Sequence, residues 1–280
     1  MFSKQIISLA ALVAMAVTAG CAVSVGEQQL LRPVAAGPFP TQQIADYILE
    51  PQTIVTADQT RLYGVLLRRP GADMTVLYFG GNQFTVGKLG PAAASAFLPL
   101  NVNLMLVDHR GYGQSGGAPT ADAITRDGIA VFDHLVKLPG IEARRTVVHG
   151  QSLGSFVAGE VAAARDTAGV VLESSVTTTE AWVRSQAGSA PVRIRISPEL
   201  AGRGNSGNMA RIAEPLLILV GAKDSTTPPA LSRELYALSP LPEGRKQLSI
   251  IAGAGHNDVL LQPGAIEIYR QFLSRVRPKP

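Results

Sequence analysis

Cysteine, histidine and aromatic residues are all scarce in this chain, and each shortage removes a class of explanation. Cys21 is the only cysteine among 280 residues, so no disulfide can form within the chain. His109, His134, His149 and His256 are scattered and have no cysteine near them, so neither a metal site nor a cofactor is expected. Charged residues make up only 16% and the formal net charge is +4. Arginines 184, 193, 195, 203 and 211 gather some of that surplus, but no basic block suits nucleic acid. The apolar run at residues 6–17 is too short to span a bilayer. What remains is 46% hydrophobic with 28 Gly and 19 Pro, the balance of a globular, turn-rich protein of one large or two small domains.

The N-terminus has the grammar of an export signal: Lys4, the apolar run, then Thr18-Ala19-Gly20-Cys21. Small residues leading into a lone cysteine resemble the lipobox of bacterial lipoproteins, with Thr18 where that pattern usually has Leu or Val. The resemblance implies a signal peptide over 1–20 and acyl chains on Cys21 that anchor the mature protein. It also places the protein in the bacterial cell envelope; Ala22 in place of an acidic residue leans toward the outer membrane, facing the periplasm. Residues 21–49, which include Gly26, Pro33, Gly37, Pro38 and Pro40, are expected to form an extended tether.

From residue 50 the sequence alternates short apolar runs with amphipathic ones. Segments 53–56 and 62–67 predict a hairpin around Asp58-Gln59-Thr60. Apolar runs at 76–79, 104–107, 146–149, 169–172, 216–220 and 247–251 predict buried strands. Helical spacing between them, as at Ile124, Gly128, Val131 and Leu135, predicts the crossovers, with one helix over 90–98 and a closing helix through Val276. Such alternation implies an α/β fold: a mostly parallel central sheet with helices on both faces. Residues 174–210 break the pattern and are expected to form a small lid over the site, within a single domain spanning 50–280.

Gly150-Gln151-Ser152-Leu153-Gly154 stands between a strand and a helix, the setting in which G-x-S-x-G presents a nucleophilic serine. A serine hydroxyl needs a base, and the base needs a partner that fixes its tautomer. His256 follows the last strand in a Gly-rich turn and can reach back over the sheet edge; the other three histidines suit structural roles. Asp224 leaves the preceding strand at the same edge, with Asp258 as the competitor. Two N–H donors are needed for the oxyanion: Leu153 opens the elbow helix, and Asn82 (or Gln83) follows Gly80-Gly81 after an earlier strand.

Together with the segment from Asp108 to Gly116 (DHRGYGQSG), these residues resemble the α/β-hydrolase superfamily over about 50–276, and specifically its serine aminopeptidase-like and acylhydrolase-like branches. Members often carry His-Gly at the oxyanion loop, where this chain has Gly80. The 108–116 segment is expected to serve architecture, with Arg110 in a local ion pair. The expected activity is cleavage of an ester, thioester or similar acyl bond in a small molecule through an acyl-enzyme, by a monomer attached to the membrane only through Cys21. Two alternatives stand beside it: a peptidase, for which Glu173 could hold a free amino terminus, and a non-catalytic envelope-anchored binding protein.

Overall fold

The computed structural model describes residues 23–40, 44–188 and 193–278. The signal segment 1–20 and Cys21 lie outside them. Eight strands form one sheet: β2 (Ile48–Val55), β3 (Arg61–Arg68), β4 (Thr75–Phe79), β5 (Asn103–Val107), β6 (Thr146–Gln151), β7 (Gly169–Glu173), β9 (Leu216–Gly221) and β10 (Lys246–Ile251). Their order is β10-β9-β7-β6-β4-β5-β3-β2, parallel from β10 to β5, with the β2–β3 hairpin added antiparallel at one edge. The central strands β4, β5, β6, β7 and β9 are buried throughout, which is why they read as continuous apolar runs. Pro51 is tolerated because β2 is an edge strand.

Helices cover both faces. On one side α2 (Val86–Phe97) and α8 (Pro263–Val276) pack Phe97, Tyr269 and Phe272 onto Val76, Val147, Val171 and Leu217. On the other, α3 (Ala121–Leu135), α4 (Leu153–Ala164) and α7 (Pro229–Leu238) pack Phe132, Val157, Val161 and Leu235 onto Leu77, Val148 and Ile218. The chain leaves β4 toward β5 on one side and returns to β6 on the other. The carboxyl ends of β4 and β6 therefore flank a crevice, where ligands settle in open α/β sheets.

α2 starts earlier than its sequence spacing predicts. Asp108 Oδ1 accepts the Val86 N–H at 2.6 Å, so a carboxylate distant in sequence fixes the first turn. Oδ2 takes the Gln114 N–H at 2.8 Å, tying down the 108–116 turn. Arg110 makes the expected ion pairs, with Asp127 at 2.7 Å and Asp58 at 2.6 Å. Burial pushes Asp108 up to about 6 from 3.8, against the pull of the two N–H donors. Between those values the folded chain holds a proton that the unfolded chain has lost. Stability should therefore fall as pH rises from about 4 to about 6, by roughly 3 kcal/mol from this group. Urea unfolding across that range should show this slope in the wild type and lose it in Asp108→Asn.

The tether expected over 21–49 is corrected by the structure: the described part of this segment is packed onto the domain. β1 (Val23–Val25) pairs in parallel with β8 (Ile194–Ile196) of the lid, and α1 (Glu27–Leu30) follows. Leu31, Phe39 and Tyr47 are buried. The Gly37 carbonyl lies so near α2 that a Cβ on Gly87 would stand 1.9 Å from its oxygen. Three well-spaced apolar side chains hold the segment, while its glycines and prolines set the path. The expected lid contains α5 (Thr179–Ala187), β8 and α6 (Ser206–Met209). Val183 and Leu200 of the lid form a small core with Val25 and Ala121, so the N-terminal segment and the lid make one cap.

Candidate active site

Ser152 stands between β6 and α4 with φ 53° and ψ −116°, a backbone conformation that side-chain-bearing residues rarely hold. The turn is too tight for side chains beside it. A Cβ on Gly150 would fall 2.1 Å from the Gly154 carbonyl oxygen, and one on Gly154 would fall 2.0 Å from that of Phe79. The Ser152 N–H is held by the Glu173 carbonyl at 2.9 Å, which pins the elbow to β7.

Three side chains from separate loops meet at this edge of the sheet. His256 Nε2 lies 3.0 Å from Ser152 Oγ, and its Nδ1 lies 2.9 Å from Asp224 Oδ2. Asp224 is buried and all its acceptor positions are used. Oδ1 receives the N–H groups of Thr226 and Thr227 at 2.9 and 2.8 Å, and Oδ2 receives the Thr227 hydroxyl at 2.8 Å. Burial raises its pKa, but the His256 hydrogen bond and charge and the Thr227 donors outweigh it, leaving the carboxyl below its ordinary value. An anion fixed beside Nδ1 keeps the Nδ1–H tautomer, which leaves Nε2 free to accept the serine proton. Asp258 turns away and instead accepts the Gly255 N–H at 2.6 Å.

Leu153 and Asn82 both line the cavity at Ser152, and the N–H of neither donates to an acceptor among the described residues. The same holds for Gln83, whose φ is +72°. The Asn82 side chain is fully engaged elsewhere. Its Oδ1 accepts the Arg32 N–H at 3.0 Å and the Tyr112 hydroxyl at 2.9 Å, and its Nδ2 donates to the Leu30 carbonyl. Only the main chain of Asn82 is thus open to a ligand. Gly80 replaces the usual histidine because Phe84 fills that space: a Cβ at 80 would lie 2.1 Å from the Phe84 ring. His109 holds the loop instead, donating from Nε2 to the Gly80 carbonyl at 2.8 Å.

Several contributors escaped the sequence reading. Thr227 has no motif to betray it. Gln151, the variable residue of the pentapeptide, donates from Nε2 to the His256 carbonyl at 3.1 Å and so joins the elbow to the histidine loop. Gln151→Ala should lower kcat about tenfold to a hundredfold, because His256 loses a bond that places it; Gln151 also lines the cavity, so KM should change too, by less than kcat. Steady-state kinetics on a short-chain ester would check this. Lid helix α5 braces the acid's loop through Trp182 Nε1 to the Thr226 carbonyl at 2.9 Å.

The cavity above Ser152 measures about 380 Å³. Leu30, Leu153, Phe156, Val176 and Trp182 give it an apolar side, and amides, hydroxyls, His256 and Arg32 line the rest. Glu173 is not in its wall. It is buried and paired with His149 Nε2 at 3.0 Å, which removes the residue on which a peptidase reading depended. His134 bonds Gln52 at 3.1 Å. No cluster of three or more metal-ligating side chains occurs among the described residues.

No family model matches the chain. It is 27% identical over 228 residues to the bem46 protein of Schizosaccharomyces pombe, covering 78% of this chain and 74% of that one. It is also 27% identical to human alpha/beta hydrolase domain-containing protein 17B, over 74% of this chain and 68% of the relative. Among solved structures, a Pyrococcus furiosus esterase superposes with a TM-score of 0.70 at 19% identity, covering 89% of this chain and 99% of the other. An acetyl xylan esterase from a Thermoanaerobacterium species gives 0.64 at 18%, over 86% and 87% of the two chains. With this mostly parallel sheet and a superposition that covers most of the chain, the chain has the α/β-hydrolase fold.

Proposed function

We propose that the protein is a serine hydrolase that cleaves an ester, thioester or related acyl bond through an acyl-enzyme. The unbroken hydrogen-bond chain from Ser152 through His256 to Asp224 carries this reading. His256 Nε2 takes the hydroxyl proton as Oγ attacks the acyl carbon. The oxygen that becomes negative meets the N–H groups of Leu153 and Asn82, each worth about 2.7–4 kcal/mol in such a site. Collapse expels the alcohol or thiol, which receives its proton from His256. Water, deprotonated by the same imidazole, then releases the acid and restores Ser152. Relatives described as alpha/beta hydrolase domain proteins and neighbours described as esterases support the reaction class.

The protein's place in the proposal is the bacterial envelope, held by acyl chains on Cys21. The Lys4, apolar-run and Ala-Gly-Cys order supports it. Palmitate incorporation that disappears in Cys21→Ser would test the anchor.

A fluorophosphonate reagent tests the chemistry. Mass spectrometry should find the adduct on Ser152, and Ser152→Ala should not label. No labelling of the folded wild type would favour a binding protein on a hydrolase fold.

A further inference from the structure

Among the described residues Arg32 is the one fixed charge in the wall of the cavity, where every other lining residue except His256 is uncharged. It comes from the N-terminal segment, and its backbone is held tightly. The Arg32 N–H is shared between Asn82 Oδ1 at 3.0 Å and the Tyr112 hydroxyl at 2.9 Å. The residue is half-buried, yet its guanidinium has no ion pair and no hydrogen-bond acceptor among the described residues. Arg203, Arg211 and Arg110 near the cap are answered, by Asp122 at 3.4 Å, by Glu160 at 3.1 Å and by two aspartates, while Arg184, Arg193 and Arg195 are exposed and lie outside the cavity wall. The lid's own contribution to the cavity wall is uncharged, with Thr179, Trp182 and Gln186 facing it. A guanidinium that is partly withdrawn from water, anchored at its backbone and unanswered by any carboxylate is poised for an anion from outside.

We propose that Arg32 forms an anion subsite, and that the preferred substrate carries a carboxylate or phosphate close to the scissile acyl bond. The apolar side of the cavity takes the hydrocarbon portion, and the guanidinium takes two anionic oxygens as a planar fork. The absence of a carboxylate from the wall fits this and disfavours a substrate with a free amine. The inference rests on the acyl-hydrolase reading and adds a substrate class to it.

Two matched pairs of esters test it. The carboxylate arm compares the mono-p-nitrophenyl ester of adipic acid with its methyl-capped, uncharged counterpart. The phosphate arm compares butyryl glycerol phosphate with butyryl glycerol. In the wild type, at least one arm should favour the anionic member about tenfold or more in kcat/KM, and that arm identifies the anion. Arg32→Gln should bring the ratio close to one, and Arg32→Lys should retain part of it. Reading a ratio within each variant separates charge recognition from any general loss of fold or activity. A ratio at or below one in both wild-type arms overturns the subsite, as does a preference that survives Arg32→Gln. Hydrolysis of the neutral esters and labelling of Ser152 are scored separately. If both are present without a charge preference, only the subsite falls; if both are absent, the hydrolase reading falls and takes the subsite with it.

Discussion

Asp224→Asn should lower kcat by about 10⁴-fold and leave the chain folded. The amide oxygen can still accept the Thr226 and Thr227 N–H groups at the Oδ1 position. The other position now presents an N–H₂ where Thr227 Oγ1 and His256 Nδ1 approach at 2.8 and 2.9 Å. The Thr227 hydroxyl can rotate to accept. The imidazole must instead move its proton to Nε2, which then points a donor at Ser152 and can no longer serve as the base. A loss of tenfold or less would show that Asp224 does not set the tautomer. The substitution should also alter acid stability. Because Asp224 is held below its ordinary 3.8, its contribution is present above that value and fades as pH falls through the folded-state pKa. Unfolding curves in that acid range should lose this slope in the asparagine variant.

Ser152→Gly should abolish acyl transfer, with kcat down at least about 10⁴-fold, while making the protein more stable by about 1 kcal/mol. Glycine alone among the natural residues holds φ 53°, ψ −116° without steric cost. Strain relief of roughly 1–3 kcal/mol is partly offset by the greater freedom of glycine in the unfolded chain. Ser152→Ala removes the same oxygen but keeps the Cβ and the strain, so it should lose activity without that gain. Urea midpoints for the two variants decide the matter: a glycine variant no more stable than the alanine one would mean the elbow stores no strain.

How much of this the sequence revealed depends on how local each cause is. Strands β4, β5, β6, β7 and β9 were legible because burial on both faces demands unbroken apolar runs, and the elbow because its glycines and serine fall together in one pentapeptide between a strand and a helix. His256 and Asp224 could be placed by loop position, since each leaves the sheet at the same edge. The start of α2 was hidden because its first N–H is satisfied by Asp108, a partner only the fold brings near. The packed N-terminal segment was hidden for a similar reason. Leu31, Phe39 and Tyr47 are too widely spaced to form a periodic pattern, and their receiving surfaces belong to distant elements. Arg32 left no signal, because an unpaired arginine in a loop looks like any solvated one.

The pairing of β1 with β8 separates two properties that enzymes often bind together. Every strand of the eight-stranded sheet begins at Ile48 or later, whereas Gln29, Leu30 and Arg32 come before it. Part of the cavity wall is therefore written in a short stretch that contributes no strand to that sheet. Exchanging Gln29, Leu30 and Arg32 while keeping Leu31, which is buried in the core, would redraw the mouth of the cavity and leave every strand of the large sheet untouched.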